Sequence, residues 1–265
     1  MTTFAVITPT IGTPQLAQCI ASLKDQDCIH HLFVDGGQYF ERVSKIADQY
    51  GGKNLRMNLL HENVGKAGGN FYGHRVYAAA SYLVNQDVLC YLDEDNWVNS
   101  FFIRAYEEAL RGVQWAYTLR TIYSKEGEEL CQDNCESLGK YPIYGDPSKG
   151  YHIDTSCFAI PRALAVRLGP AWYGQYAADR QFFQNLIHHF PTMGCTGRHT
   201  VHYRLDGNPN SVTQEFFERG NALTKQRYGD SYPWEKPLGT LLKPSPIVSP
   251  NVSPSPSGTP SSSSN

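Results

Sequence analysis

Three consecutive acidic residues, Asp93, Glu94 and Asp95, follow an apolar run over 88–92 that predicts a buried strand. Carboxylates crowded at the end of such a strand repel one another unless a cation offsets their charge. Carboxylate oxygens are the ligands that Mg²⁺ and Mn²⁺ prefer, so the triplet predicts a divalent metal site. The alternative is a plain acidic turn before the next helix, and the triplet alone leaves both interpretations open.

Two further polar residues end predicted strands. Thr8 follows the apolar run over 4–7, and Asp35 follows the run over 31–34. In an open α/β sheet, ligands bind outside the carboxyl ends of the strands. We therefore expect Thr8, Asp35 and the acidic triplet to share one site.

A glycine-rich loop over 63–69 precedes a predicted helix that ends near residue 84. Its backbone amides, with Lys66, would face a phosphate at a helix N-terminus, and the alternative is an ordinary turn. The loop matches neither the Gly-x-Gly-x-x-Gly fingerprint nor a Walker loop. This mismatch disfavours a dinucleotide-binding enzyme and a P-loop NTPase.

Strand and helix signals alternate along the first 120 residues. Thr13 and Pro14 predict the start of the first helix, as an N-cap followed by a first-turn proline. The alternation predicts an α/β fold with a mostly parallel central sheet and helices on both faces. The predicted strands are 4–7, 31–34, 56–60, 88–92 and 115–120, with helices near 14–23, 39–50, 69–84 and 100–110.

The second half is less regular. The polar, Gly- and Pro-punctuated stretch over 121–153 predicts a long loop of the kind that forms lids or binding loops. After it we expect a strand over 156–160, a helix over 177–190 and a short strand over 200–203. A capping box over 211–214 predicts the start of the last helix.

The length of 265 residues suits one folded domain, which we place at 1–235. Its nucleotide-binding half would be 1–120 and its acceptor-side half 121–235. The segment 244–265 is rich in Pro and Ser and holds little apolar surface to bury, so we expect a disordered tail.

The net charge and the cysteine content limit which binding partners and which cellular compartment we expect. The net charge is −2, which gives no electrostatic basis for a nucleic-acid partner. Seven irregularly spaced cysteines disfavour a disulfide framework, and the N-terminus predicts no signal peptide, so we expect a cytoplasmic location. No apolar run reaches the roughly 18–20 residues of a transmembrane helix, and peripheral attachment to a membrane stays open.

The order and spacing of these segments resemble the GT-A fold of family 2 glycosyltransferases. The resemblance rests on 4–12, on Val34-Asp35-Gly36, on the Asn63-x-Gly65 loop and on 91–95. In the second half, 156–162 and then 178–180 resemble that family's acceptor-side strand and its later catalytic acid. The similar stretch runs from about residue 4 to 205.

The resemblance implies how a nucleotide-diphosphate sugar, most often UDP-linked, would be held. Asp95 would contact Mn²⁺ or Mg²⁺ on the donor diphosphate, and Asp93 the ribose or a metal-bound water. Thr8 and Asp35 would hold the nucleobase. Arg is absent from the position before Asn70 that the family often fills with it, and Lys66 or Arg75 would supply that charge.

On the acceptor side, the resemblance implies that Asp179 is the general base. His202 would be a late metal or diphosphate contact, although a single His on a strand is more often structural. The implied activity is metal-dependent, inverting transfer of a sugar to a hydroxyl of a glycan, a lipid-linked or a protein acceptor. The alternatives are a sugar nucleotidyltransferase and a non-catalytic nucleotide-sugar binding protein.

The tail generates a first prediction. Deleting 244–265 will leave the melting temperature and the affinity for UDP unchanged, because a Pro/Ser-rich segment has no core contacts to lose. Thermal unfolding with and without UDP measures both quantities. A drop of several degrees would show that the tail docks on the folded domain.

Overall fold

The computed structural model describes residues 1–175, 177–205 and 212–235. Within these ranges, nine strands form one sheet. The strands are β1 (Phe4–Thr10), β2 (Ile29–Asp35), β3 (Leu55–Leu60), β4 (Val88–Tyr91), β5 (Trp97–Val98), β6 (Trp115–Tyr123), β7 (Glu129–Gln132), β8 (Phe158–Pro161) and β9 (Met193–Arg204). The α-helices are α1 (Leu16–Leu23), α2 (Phe40–Tyr50), α3 (His74–Leu83), α4 (Phe102–Ala109), α5 (Arg162–Leu168), α6 (Ala178–His189) and α7 (Gln214–Tyr228).

The sheet order is β3-β2-β1-β4-β8-β6-β9-β5, with β7 beside β6. The first four of these strands run parallel. β2 and β3 lie on one side of β1 and β4 lies on the other, so the strand order reverses between β1 and β4. Ligands of open α/β sheets bind at such a reversal, beyond the carboxyl ends of the strands.

The prediction of a mostly parallel sheet is wrong for the second half. β8 runs antiparallel to both β4 and β6, and β5 runs antiparallel to β9. β6 and β9 are parallel to each other. The sheet is therefore mixed, because the chain returns through β8 in the opposite direction beside β4.

Apolar residues lie at the spacing that each element requires. In α1, Leu16, Cys19, Ile20 and Leu23 are buried at helical intervals. In β2, Leu32 and Val34 pack in one apolar cluster with α1 and α2, whereas Phe33 joins the larger cluster that includes α3. Because alternate residues of a strand point to opposite faces, these contacts show that helices pack on both faces of the sheet at β2.

Two predicted helix caps differ from the structure. α1 begins at Leu16 with Gln15 before it, and the Thr13 hydroxyl has no hydrogen-bond partner among the described residues. At α7 the cap is Thr213, whose Oγ1 accepts a hydrogen bond from the Phe216 amide at 3.3 Å. Ser211, the residue predicted to cap this helix, lies outside the described residues, as does the segment 244–265.

The stretch over 121–153 is not the long loop that its polarity predicts. β6 continues to Tyr123, β7 pairs with it, and residues 133–138 are buried. Arg120 accounts for this burial, since its guanidinium contacts Asp133 at 2.8 Å and Glu136 at 2.7 Å. Paired charges lie in the interior here, so polar composition does not indicate exposure.

One buried histidine makes stability depend on pH. His30 is 1% exposed, its Nε2 lies 3.0 Å from the Thr8 hydroxyl, and burial lowers its pKa to about 3. Below the ordinary histidine pKa of about 6.5, His30 is protonated in the unfolded state. In the folded state it stays neutral until the pH reaches about 3. The contribution of His30 to stability is therefore complete above that ordinary value and is lost below it.

We predict that His30→Gln flattens this dependence. Glutamine keeps an N–H group near the Nε2 position but does not titrate. Between about pH 4 and pH 6, the free energy of unfolding will fall less steeply in the variant, by up to about 1.4 kcal/mol per pH unit. Urea unfolding at a series of pH values measures both slopes, and equal slopes would contradict the prediction.

Candidate active site

A cleft of about 660 Å³ opens beyond the carboxyl ends of β1, β2 and β4. This is the place where the strand order reverses. Five of the predicted site residues line it, namely Asp35, Lys66, Asp93, Asp95 and Asp179. The fold therefore brings together residues that are up to 144 positions apart in the sequence.

The middle acid of the triplet, Glu94, holds the loop after β1. Its Oε2 accepts hydrogen bonds from the Thr10 hydroxyl at 2.6 Å and from the amides of Gly12 and Thr13 at 3.1 and 3.0 Å. Its Oε1 accepts from the Ile11 amide at 3.3 Å. One carboxylate thus satisfies four donors of this loop. All three acids of the triplet line the cleft, but only Glu94 is committed to holding this loop.

Asp35 holds the glycine-rich loop in a similar way. Its two carboxylate oxygens accept from the Val64 amide at 2.7 Å and the Gly65 amide at 2.9 Å. A Cβ at Gly65 would lie 2.4 Å from the Tyr72 carbonyl oxygen and 2.8 Å from Asp35 Oδ2, so only glycine fits there. Burial raises the pKa of Asp35, and the two amides with Arg75 oppose that shift.

The glycine-rich loop does not have the form of a phosphate cradle. The amides of Lys66 and Ala67 both bond back to Asn63, and α3 begins five residues beyond the loop. Arg75 donates to the carbonyl oxygens of Val64 and Ala67, so it braces the loop. Lys66 is exposed and lines the cleft, which leaves it available to a ligand.

Asp93 lies in the cleft near three other aspartates. Burial and the charge of Asp95, followed by those of Asp154 and Asp179, raise its pKa well above the ordinary aspartate range. The Tyr77 hydroxyl donates to Asp93 Oδ1 at 2.6 Å and opposes the shift. A divalent cation would relieve this repulsion.

The carboxylates on the cleft fit a metal that is shared with a ligand. No group of three or more His, Cys, Asp or Glu side chains suited to a metal ion occurs within 1–175, 177–205 and 212–235. Mg²⁺ is commonly held by one or two carboxylates together with substrate phosphates. Asp95 and Asp93 match that donor set, with the remaining ligands supplied by a diphosphate or water.

Positive charge reaches the same cleft from the end of β9. Arg204 is 8% exposed, and its Nε donates to the Asp95 carbonyl oxygen at 3.2 Å. Its guanidinium also bonds to the Lys125 carbonyl oxygen and to Gln18, and it lies over the Trp97 ring. Arg204 and the exposed Lys125 line the cleft and place two cations beside the acidic triplet.

Asp179 lies in the first turn of α6 and is partly exposed to the cleft, with 25% of its side-chain surface accessible. Its Oδ1 accepts from the Arg180 amide at 2.8 Å, and its Oδ2 lies 3.7 Å from His152 Nε2. Asp154 lines the same cleft but is committed to Arg120 at 2.6 Å and to the Ser156 amide at 2.9 Å. Asp179 therefore presents an accessible carboxylate to a ligand in the cleft, whereas the carboxylate of Asp154 is already bonded to other groups of the protein.

Thr8 does not reach the cleft, which corrects its predicted role as a nucleobase contact. The residue is fully buried, and its hydroxyl lies 3.0 Å from His30 Nε2 inside the sheet. Thr10, two residues further along β1, lines the cleft instead. The predicted strand ended too early, so the assignment fell on a residue within β1.

His202 is also not among the residues that line the cleft. Its ring lies between those of Trp97, stacked at 5.2 Å, and Tyr123, edge-on at 5.1 Å. Burial lowers its pKa. The structure thus favours the structural interpretation, and the neighbouring Tyr203 and Arg204 occupy the place where His202 was expected.

Sequence reasoning missed Tyr77, Arg204, Lys125 and His152. Arg204 carried one signal, since it is a cation at the end of the strand that was already placed near the site. Tyr77 and His152 carried none, because each acts on a carboxylate that is distant in the sequence. Only the packing of α3 and of the 133–154 segment brings them to Asp93 and Asp179.

The fold of the chain is similar to that of solved structures of TarS from S. aureus. The chain is similar to TarS of S. aureus, residues 1–349, with a TM-score of 0.55 at 14% identity over 76% of this chain and 60% of that one. The same fragment with UDP-GlcNAc gives a TM-score of 0.57 at 14% identity, covering 83% and 65%. With UDP it gives 0.56 at 14% identity, covering 84% and 64%.

Comparison with other sequences places the chain in one family. It is 37% identical over 103 residues to an uncharacterized protein of Haemophilus influenzae, covering 32% of this chain and 69% of that protein. The chain therefore belongs to the same family as this protein. No family model matches the chain. The chain spans less than two thirds of the TarS fragment, and membership of glycosyltransferase family 2 stays a prediction.

The described part of the chain contains no helix that is both long enough and apolar enough to cross a bilayer.

Glu94 gives a prediction on stability. Glu94→Ala will lower the free energy of unfolding by about 3 kcal/mol, because three amides and a hydroxyl lose a charged acceptor. Glu107→Ala, which removes an exposed carboxylate from α4, will change it by less than about 0.5 kcal/mol. Urea unfolding at pH 7 compares the two, and equal effects would show that Glu94 does not hold the loop.

Proposed function

We propose that the protein is a glycosyltransferase that moves a sugar from a nucleotide-diphosphate sugar, UDP-linked, to an acceptor hydroxyl. The observation that carries the proposal is the cleft at the strand reversal, where Asp93 and Asp95 lie with Asp179. The likeness to TarS, whose structures hold UDP-GlcNAc and UDP, supports a donor of the same class.

The donor would lie with its diphosphate near Asp95. Asp95 and Asp93 would hold Mn²⁺ or Mg²⁺ together with the diphosphate oxygens, and the cation would offset the charge that develops on the leaving group. Lys66, Lys125 and Arg204 supply further positive charge around the same cleft. We assign Asp35 to the nucleobase as well, in addition to the hydrogen bonds that it accepts from the amides of Val64 and Gly65.

Asp179 would accept the proton of the acceptor hydroxyl. That oxygen forms a bond to the anomeric carbon on the face opposite the leaving diphosphate, and the bond between the anomeric carbon and the diphosphate oxygen breaks. A single displacement of this kind inverts the configuration of the anomeric carbon. A general base of this type commonly contributes 10²–10⁴-fold to the rate.

The loop after β1 disfavours a nucleotidyltransferase. Such an enzyme needs donors in this loop to hold a triphosphate, yet the amides of Ile11, Gly12 and Thr13 are already bonded to Glu94. Residues 8–16 hold no Lys or Arg. The non-catalytic alternative is disfavoured because Asp179 keeps a partly exposed carboxylate on the cleft.

The nucleotide and the metal are tested together. UDP will raise the melting temperature of the wild type when Mn²⁺ is present, and Asp95→Asn will abolish this increase. Asp48→Asn, which alters an exposed carboxylate of α2 outside the cleft, will retain it. An equal increase without Mn²⁺ would contradict metal dependence. A wild type that neither binds UDP nor releases it from nucleotide sugars would contradict the proposed function.

The general base has its own test. Asp179→Asn preserves the size and the capping ability of the side chain but cannot accept a proton. We predict near-normal stability and donor affinity, with transfer to the acceptor reduced 10²-fold or more. Turnover measured as UDP release gives the result. A variant that keeps more than about a tenth of wild-type turnover would show that Asp179 is structural.

A further inference from the structure

His152 lies beside the carboxylate to which we assign the proton transfer. Its Nε2 is 3.7 Å from Asp179 Oδ2, and the imidazole is buried, with 6% of its side-chain surface exposed. Asp179 approaches from the start of α6, whereas His152 comes from the segment before β8. The two side chains therefore meet only in the folded protein.

The backbone around His152 is firmly held. His152 forms a bridge with Ser137, and its carbonyl oxygen accepts from the Gly139 amide at 3.0 Å. Ser137 Oγ in turn accepts from the Asp154 amide at 2.9 Å. These contacts fix the backbone from which the His152 side chain projects.

The tautomer of His152 follows from its surroundings. Its Nδ1 is buried and has no hydrogen-bond partner within the part of the chain that the structure describes. A buried N–H without a partner is more costly than a buried acceptor without one. The proton of neutral His152 is therefore favoured on Nε2, which directs an N–H toward Asp179 Oδ2.

Asp179 lines the cleft together with Asp93, Asp95 and Asp154. To act as a general base, its carboxylate must direct a lone pair at the proton that it accepts. An N–H donor beside Oδ2, together with the Arg180 amide at Oδ1, sets the orientation of this carboxylate.

We propose that His152 is a positioning residue, which donates from Nε2 to Asp179 Oδ2 and holds that carboxylate directed toward the acceptor hydroxyl. The inference rests on the proposed function, since it assigns His152 to the same proton transfer. The 3.7 Å between the two atoms is longer than a hydrogen bond. Hydrogen bonds at catalytic groups are often long before the substrate binds, and we expect this one to form when the acceptor is present.

Two substitutions separate positioning from packing. His152→Gln places an amide N–H close to the former Nε2, and His152→Leu fills a similar volume without a donor. We expect His152→Leu to lower kcat by about ten- to a hundredfold with the KM for the donor unchanged, and His152→Gln to stay within about threefold of wild type. In an Asp179→Asn background, His152→Leu will cause no further loss, because the two residues act as one unit.

The proposal is overturned if His152→Leu keeps more than a third of wild-type kcat, if Gln is as poor as Leu, or if Leu lowers the turnover of Asp179→Asn further. His152→Asn replaces His152→Leu should the latter fail to fold, since its shorter amide falls short of the Nε2 position.

A second measurement needs no turnover and separates this inference from the proposed function. The ¹³C signal of the Asp179 carboxyl, assigned by its loss in Asp179→Asn, will move in His152→Leu relative to wild type and will stay near the wild-type position in His152→Gln. An unchanged signal in His152→Leu overturns the role of His152 even in an active enzyme. A signal that moves as expected, in a protein that transfers no sugar, supports the contact and contradicts the proposed function alone.

Discussion

The part of the cleft beside Asp154 and Tyr203 depends on one buried guanidinium. Arg120 contacts Asp133, Glu136 and Asp154 within 2.8 Å, and its guanidinium lies 4.4 Å from the centre of the Tyr203 ring. Burial raises the pKa of Asp133, but Arg120 and three backbone amides outweigh this effect and hold that pKa below its ordinary value. Removing Arg120 would leave three buried carboxylates without the cation that they share, which is strongly destabilising.

The part of the cleft beside β1 and β2 is built on the same physical principle with different partners. Here carboxylates accept from backbone amides, as Glu94 does in the loop after β1 and Asp35 does in the glycine-rich loop. Strand ends leave amides that the ladder does not use, and an acid on a neighbouring strand end satisfies them. Acids at this edge of the sheet therefore serve structure and chemistry side by side, and their residue type alone does not separate the two roles.

Local patterns in the sequence predicted the first half of the fold and much of the cleft. Apolar runs placed β1, β2 and β4, and the strand ends then brought Asp35, Asp93 and Asp95 to one edge. What failed depended on distant partners. The burial of 133–138 follows from Arg120. His202 failed for the same reason, since its ring is enclosed by aromatic residues from other strands. Contacts between residues that are distant in the sequence leave no periodic pattern in the local sequence that would predict them.

The position of β9 in the sheet has a consequence for how the chain folds. β9 pairs with β6, about 80 residues earlier, and with β5, where Trp97 faces His202. Contacts of such long sequence separation require costly loop closure and form slowly. Arg204 at the end of β9 reaches Asp95 only after this closure. The order of assembly therefore leaves the nascent chain without a complete cleft until its last strand has been synthesised and has docked.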